Sequence, residues 1–190
     1  MLRVMKLNLG CGYYKLDGYL NVDSSADCEP DEVVDLETFP WPWGDDSVDE
    51  IVMSHVLEHL GATTETYFGV IKELYRVCRH DAAVTIAVPH PRHDDFLNDP
   101  THVRPVTAEG LAMFSRKNCE QWVEEKAANT PLALLIGVDF EMADMKFTLE
   151  QPWLSKVQTG ALGDTELLQA IRQHNNVIKE TTIVLKAIKE

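Results

Sequence analysis

The stretch KLNLGCGYYKLDGYLNVD, Lys6 to Asp23, sets an apolar run, a Gly-Cys-Gly break and a second apolar run closed by an aspartate within one short segment. Short apolar runs bounded by turn residues read as buried strands, so Val4 to Leu9 and Tyr19 to Val22 predict two of them. Glycine lets a backbone turn sharply and lets a ligand approach where a Cβ would collide. Gly10 and Gly12 therefore mark the end of the first strand as a place for a bound group. A dinucleotide fingerprint needs a further glycine where this chain has Lys15, and an acidic residue about 20 positions on. Asp23 arrives sooner than that, which disfavours NAD.

Working outward, Val33 to Leu36 predicts a third strand and SVDEIVM, Ser47 to Met53, a fourth. Thr63 to Arg79 predicts a helix whose apolar face carries Tyr67, Val70, Ile71, Leu74 and Cys78, with Lys72, Glu73, Arg76 and Arg79 opposite. AAVTIAV, Ala82 to Val88, is nearly continuous in apolar residues, the pattern of a mid-sheet strand covered on both faces. Helical patterns follow at Thr107 to Phe114 and Asn118 to Ala128. Phe140 to Leu149 and Thr181 to Ile188 read as strands flanking a helix that starts with Asp164 as N-cap and buries Leu167, Leu168 and Ile171. Alternating strands and helices ending in two late strands predict a doubly wound α/β sheet with a hairpin-like edge. Ligands of such sheets lie outside the carboxyl ends of the strands.

The 190 residues contain no repeat and no linker, so one domain over 1–190 is expected. Seventeen Lys and Arg against 31 Asp and Glu give a formal charge of -14, a field that repels nucleic acid and anionic membranes. No basic patch offsets it, so neither is expected as a partner. The opening MLRVMKLNLG is too broken for a signal peptide, and a cytoplasmic protein is expected. Cys11, Cys28, Cys78 and Cys119 show no metal or disulfide spacing and read as reduced structural thiols.

The strand ends carry the chemistry. Asp23 suits the hydroxyls of a ribose, although VDSS is also turn chemistry. Asp35 suits an exocyclic amine and Leu36 a purine face, or Asp35 caps a helix. Together they point to a small nucleoside-bearing cofactor. The loop PHPRHDDFLNDPTHVRP, Pro89 to Pro105, crowds His90, His93, Asp94, Asp95, Asp99 and His102 at the end of the fifth strand. These side chains suit proton removal or metal binding, or a loop held by its own turns with solvated histidines. Loop spacing fixes no coordination geometry, and no metal site is assigned. His55 and His59 would share a helix face, like half of a zinc motif, while His80 and His174 read as solvated.

LNLGCG, the strand end NVD and above all FPWPWGDDSVDEIVMSHVLEHL, Phe39 to Leu60, resemble class I S-adenosylmethionine-dependent methyltransferases of the small type 11 group. The resemblance spans residues 4 to 114 and implies a Rossmann-like, seven-stranded, mostly parallel sheet with an antiparallel last strand. It implies S-adenosylmethionine as cofactor and methyl transfer to a small-molecule acceptor. Gly10 and Gly12 would pass beside the methionine part, Asp23 would hold the ribose, Asp35 and Leu36 the adenine, and Ser54 and His55 would line the methyl side. Asn8 stands where the family often has an acid, and joins the cofactor set with Cys11. The helix usual after the first strand has no room here, so Tyr13 and Tyr14 would cover the cofactor instead. Similar DPTH loops in relatives imply His90, Asp99 and His102 for proton removal, with His59, His93 and Arg104 binding the acceptor. RHDAAV replaces the family's glycine pair before the fifth strand, which keeps a non-catalytic cofactor-binding module as the alternative. The late strands and QPWLSKVQTGALG, Gln151 to Gly163, offer an edge for a homodimer.

Overall fold

The computed structural model describes residues 4–189. Seven strands, β1 (Lys6–Leu9), β2 (Leu20–Asp23), β3 (Glu32–Val33), β4 (Val48–Ser54), β5 (Cys78–Pro89), β6 (Phe140–Leu149) and β7 (Ile178–Ala187), form one sheet in the order 3-2-1-4-5-7-6. β1 to β5 pair in parallel, and β7 runs antiparallel to both β5 and β6. The helices are α1 (Thr64–Val77), α2 (Asp94–Leu97), α3 (Ala108–Ala112), α4 (Arg116–Glu124), α5 (Leu132–Ile136), α6 (Trp153–Gln158) and α7 (Asp164–Gln173). Among the described residues no helix is long and apolar enough to cross a membrane.

Register explains the core. Leu7 pairs with Ile51, Ile51 with Val84 and Val84 with Leu185, and Leu9, Met53, Ile86 and Ile183 form a second row beside them. Every one of these side chains is buried. Full burial of such a side chain contributes about 1.5–3 kcal/mol, so these rows outweigh any single polar contact in the sheet. Between them on the opposite face stand Lys6, Asn8, Glu50, Val52 and Thr85, mostly half-buried. β5 is thus fully buried on one face only, short of the two-sided burial that its apolar run predicts.

Several expected boundaries move. β3 stops at Val33, because Asp35 turns the chain by accepting bonds from Glu37 N (2.9 Å) and Thr38 Oγ1 (3.0 Å). α1 ends at Val77, and Cys78 and Arg79 already belong to β5, where Cys78 pairs with Val48 and Arg79 reaches Asp49 at 2.6 Å. Gly163, not Asp164, is the N-cap of α7. Leu168 of that helix is 58% exposed, and its buried residue is Ala170.

Adjacent parallel strands normally need a crossover of a dozen or more residues, usually a helix. Residues 10–19 join β1 to β2 with none. Asn8 and Asn21, paired across the two strands, take its place. Asn8 Nδ2 donates to Asn21 Oδ1 (2.9 Å) and to the Tyr14 carbonyl (2.9 Å), and Asn21 Oδ1 also accepts from Leu16 N (2.8 Å). Asn21 Nδ2 donates to Asp31 Oδ2 at 2.9 Å, which ties the next loop to the same post.

Glu73 is only 8% exposed, against the solvated position expected for it. Its carboxylate accepts from Trp41 N (2.6 Å) and from Arg76 Nε (2.8 Å) and Nη2 (2.7 Å), while Arg76 Nη1 donates to the Trp43 carbonyl at 2.9 Å. This pair clamps the buried Trp41 and Trp43, whose rings meet edge to face at 5.8 Å, and delivers the chain into β4.

Two outcomes are expected in denaturation experiments. Asn21→Ala removes the bonds to Asn8 Nδ2, Leu16 N and Asp31 Oδ2, and at about 1 kcal/mol for each lowers stability by about 3 kcal/mol. A loss under about 0.5 kcal/mol would show that the asparagine post does not carry the loop. Arg76 bonds hold the Glu73 carboxyl below its ordinary pKa. Its contribution is therefore present above the unfolded pKa and lost as pH falls through the folded one, so Glu73→Gln should destabilise at neutral pH and converge with the parent in acid.

Candidate functional site

The carboxyl ends of β1, β2 and β4 open onto a cleft of about 220 Å³ lined by Gly10, Asp23, Ser24, Val34, Asp35, Leu36, His55, Val56, His59 and Leu60. A larger hollow of about 430 Å³ lies at the amino ends of β1 and β2, beside Lys6, Tyr19 and Leu20. Sheets of this topology bind ligands at their carboxyl ends, so the smaller cleft is the candidate site.

Gly10 takes φ 66°, and a Cβ there would lie 2.4 Å from Val56 Cγ2. Only glycine lets β1 turn against that wall. Gly12 takes φ 49° with open space where a Cβ would stand, and it lies just outside the cleft lining. Its N–H donates to Asp23 Oδ2 (2.8 Å), and Ser25 N donates to Asp23 Oδ1 (2.9 Å). Each carboxylate oxygen keeps a lone pair for a further donor, so Asp23 is both a turn anchor and a fixed acceptor at the cleft. Asp35 likewise holds its own turn and lines the cleft with Leu36. His55, just past β4, adopts φ 57°, an uncommon conformation for a residue with a side chain. Its Nε2 lies 2.9 Å from Glu180 Oε2 on β7, and the carboxylates of Glu58 and Glu180 raise its pKa against the effect of its partial burial.

The other expected cofactor residues stand outside the cleft lining. Asn8 is 4% exposed and spends its amide on the loop and on Asn21. Cys11 is buried with its thiol toward the Gly12 carbonyl, and burial pushes its pKa up. Tyr13 is 78% exposed on the β1–β2 loop, and Ser54 is exposed at the last position of β4.

The loop from Pro89 to Pro105 divides its histidines. His90 and His93 turn toward β6 and β7: His90 N donates to the Lys179 carbonyl (2.9 Å), and His93 Nε2 lies 3.4 Å from Glu150. Burial, assisted by Arg92, lowers the His90 pKa, while His93 Nδ1 caps α2 by accepting from Asp95 N. Asp99 and His102 instead join His59. The His59 and His102 rings meet edge-on at 4.5 Å, and Thr101 Oγ1 bridges His59 Nδ1 (3.0 Å) to Asp99 Oδ1 (2.6 Å). His55 and His59 do not share an α-helix, because Leu57–His59 is a single 3-10 turn; both reach the cleft all the same. Arg104 lies over the Tyr67 ring at 4.3 Å and opens on a separate pocket of about 270 Å³ walled by Phe68, Leu111 and Phe114. Glu58, which no sequence motif marks, is completely buried.

No protein-family model matches the chain, and no curated protein sequence does either. Solved structures do. A SAM dependent methyltransferase from Archaeoglobus fulgidus superposes with TM-score 0.63 at 20% identity, covering 96% of this chain and 86% of that one. A SAM-dependent methyltransferase from Methanosarcina mazei gives TM-score 0.57 at 13% identity over 100% of this chain and 95% of its own. The cyclase SpnF gives TM-score 0.54 at 14% identity over 98% and 76%. The fold is that of class I methyltransferases.

Gly10→Ala presses a Cβ onto Val56 in a left-handed backbone, and overpacking of this kind costs about 1–3 kcal/mol. Adding Val56→Ala should recover part of that loss in chemical denaturation, because the two positions touch. Strict additivity of the two losses would mean that the wall at Val56 is not what demands glycine.

Proposed function

We propose that this chain is an S-adenosylmethionine-dependent methyltransferase acting on a small-molecule acceptor, a cytoplasmic enzyme with one domain over residues 1–190. One observation carries the reading: the glycine turn of β1, Asp23 of β2, the Asp35–Leu36 corner and His55 after β4 all meet at a single cleft. The residues suit the cofactor. Asp23, fixed by two backbone N–H groups, has acceptor capacity left for a ribose diol. Leu36 and Val34 offer an apolar flank for a purine, and the space beside Gly12 accepts a chain that a Cβ would obstruct. A sulfonium cation without phosphates suits a protein of charge -14.

S-adenosylmethionine supplies an electrophilic methyl group: the acceptor's electron pair forms the new bond to carbon as the carbon–sulfur bond breaks, leaving a neutral thioether. The protein's part is alignment and exclusion of water, and well-oriented pairing supplies about 7–11 kcal/mol. A hydroxyl or ammonium acceptor also gives up a proton. His59, Asp99 and His102, beside the cleft, form the acceptor side in this reading, while His90 and His93 hold the loop to β6 and β7. The second reading, cofactor binding without turnover, is favoured by Asn8, a neutral amide where the family often has an acid, with both of its N–H donors engaged by Tyr14 and Asn21. SpnF, named as a cyclase, has the same fold, and fold alone does not fix chemistry. A second copy of the chain would pair along β6, the sheet edge on which Met142, Met145 and Phe147 are exposed.

Calorimetric titration tests the cofactor. Micromolar binding of S-adenosylmethionine and its demethylated product, with no response to NAD, is expected. Asp23→Ala removes charge-assisted hydrogen bonds of about 1.5–3 kcal/mol each and should weaken both ligands about tenfold or more. Silence from the wild-type protein, or unchanged affinity in the variant, would overturn the assignment.

A further inference from the structure

Behind the cleft wall, three side chains of metal-ligand type bring their donor atoms within 4.8 Å of one another: Glu58, His59 and His102. Glu58 is 0% exposed, and among the described residues neither carboxylate oxygen has a hydrogen-bond partner. The nearest donor-type atom recorded is His55 Nδ1, at 3.5 Å from Oε1, and that ring is shared with Glu180. At 3.5 Å and shared, that ring compensates a fully buried carboxylate only in part, and burying a charge without close donors is unfavourable, so the site suits a further cation.

The hydrogen bonds around the two imidazoles indicate which ring nitrogens are left to ligate it. Thr101 Oγ1 gives its proton to Asp99 Oδ1 at 2.6 Å, because an ionised carboxylate only accepts. Toward His59 Nδ1, 3.0 Å away, that hydroxyl is therefore an acceptor, and Nδ1 carries the proton. His102 Nδ1 lies 2.9 Å from the Phe96 carbonyl, which also only accepts, so it carries the proton too. With the Nδ1 hydrogens so placed, Nε2 is the ring nitrogen that can offer a lone pair to a metal ion. His102 Nε2 also lies 3.8 Å from Asp99 Oδ2, whose carboxylate stands at the edge of the cluster. One ring nitrogen of each imidazole and a Glu58 carboxylate oxygen lie within 4.8 Å of one another, and with Nδ1–H turned outward on both rings Nε2 is the nitrogen left to ligate. Outward Nδ1–H bonds that fix tautomer and ring orientation are the usual support of metal-bound histidine. Two histidines and one carboxylate form a ligand set for zinc-class divalent cations with positions left open.

We propose that Glu58, His59 and His102 bind a zinc-class divalent metal ion at the wall of the cleft. Ligand atoms about 2.1 Å from a tetrahedral ion lie about 3.4 Å apart, so small side-chain rotations close the site. His59 lines the cleft as well as the cluster, which turns an open coordination position toward an oxygen of the acceptor. That last consequence rests on the methyl-transfer reading; the metal site itself does not.

The test uses chelator-stripped full-length protein and the metal alone, without S-adenosylmethionine. One Zn²⁺ per chain is expected by calorimetry. Co²⁺ should give visible absorption bands and two exchangeable, paramagnetically shifted imidazole N–H signals, one from each histidine. His59→Gln and Glu58→Gln should each weaken Zn²⁺ by about a hundredfold or more, while His174→Ala leaves it unchanged. The cobalt signals come from the wild-type protein, so the proposal stays testable if a variant fails to fold. No uptake by the wild type, an absence of the shifted N–H signals, or affinity unmoved in His59→Gln overturns it and leaves a protonated histidine as the partner of Glu58. Failure here leaves the cofactor titration intact, and failure there leaves the metal titration intact.

Discussion

The connection from β1 to β2 is the constraint on which the site depends. A parallel pair joined without a helix must satisfy its loop's backbone polar groups by other means. Asn8 and Asn21 do this from beneath the loop. Strand alternation then sets Asp23 on the same side as Asn21, two residues on, where it receives the Gly12 N–H. The apolar partners Leu20 and Val22 face the core side. One short strand thereby carries a packing face and a face that builds the glycine loop into a ligand-facing edge.

Two buried glutamates show how differently the chain treats the same group. Glu73 has a guanidinium and a backbone amide for its carboxylate, and the cluster holds the Trp41–Trp43 segment against α1. Glu58 has neither, and its backbone carbonyl is what binds the following loop, accepting from Val103 N and Arg104 N. That backbone bond keeps the Asp99–Arg104 segment against the cleft wall and brings His102 to His59. The first glutamate explains why Trp41 and Trp43 are internal. The second has only the His55 ring, 3.5 Å away and shared with Glu180, beside its carboxylate next to the candidate site.

The histidine-rich loop after β5 is divided by the antiparallel strand that β5 pairs with. The His90 backbone bonds to Lys179, just inside β7, and draws the first half of the loop toward the sheet edge, while Glu58 draws the second half toward β4. A segment that looks like one cluster in sequence is two structures, one supporting α2 and one facing the cleft.

Much of this was legible in the sequence. Period-two and continuous apolar runs locate the strands, helical spacing gives the buried stripe of α1, and glycine and aspartate at strand ends mark Gly10, Asp23 and Asp35, because these signals are local. Burial of charged and apolar side chains was not: Glu73 is internal because Arg76 and the Trp41 amide reach it, and Leu168 of α7 is exposed. The grouping of His59 with His102, and the isolation of the Glu58 carboxylate behind them, depend on contacts between segments more than 40 residues apart, such as His59 with Thr101. Sequence determines which side chains stand at strand ends; only long-range packing decides which of them meet, and whether a buried charge finds a partner.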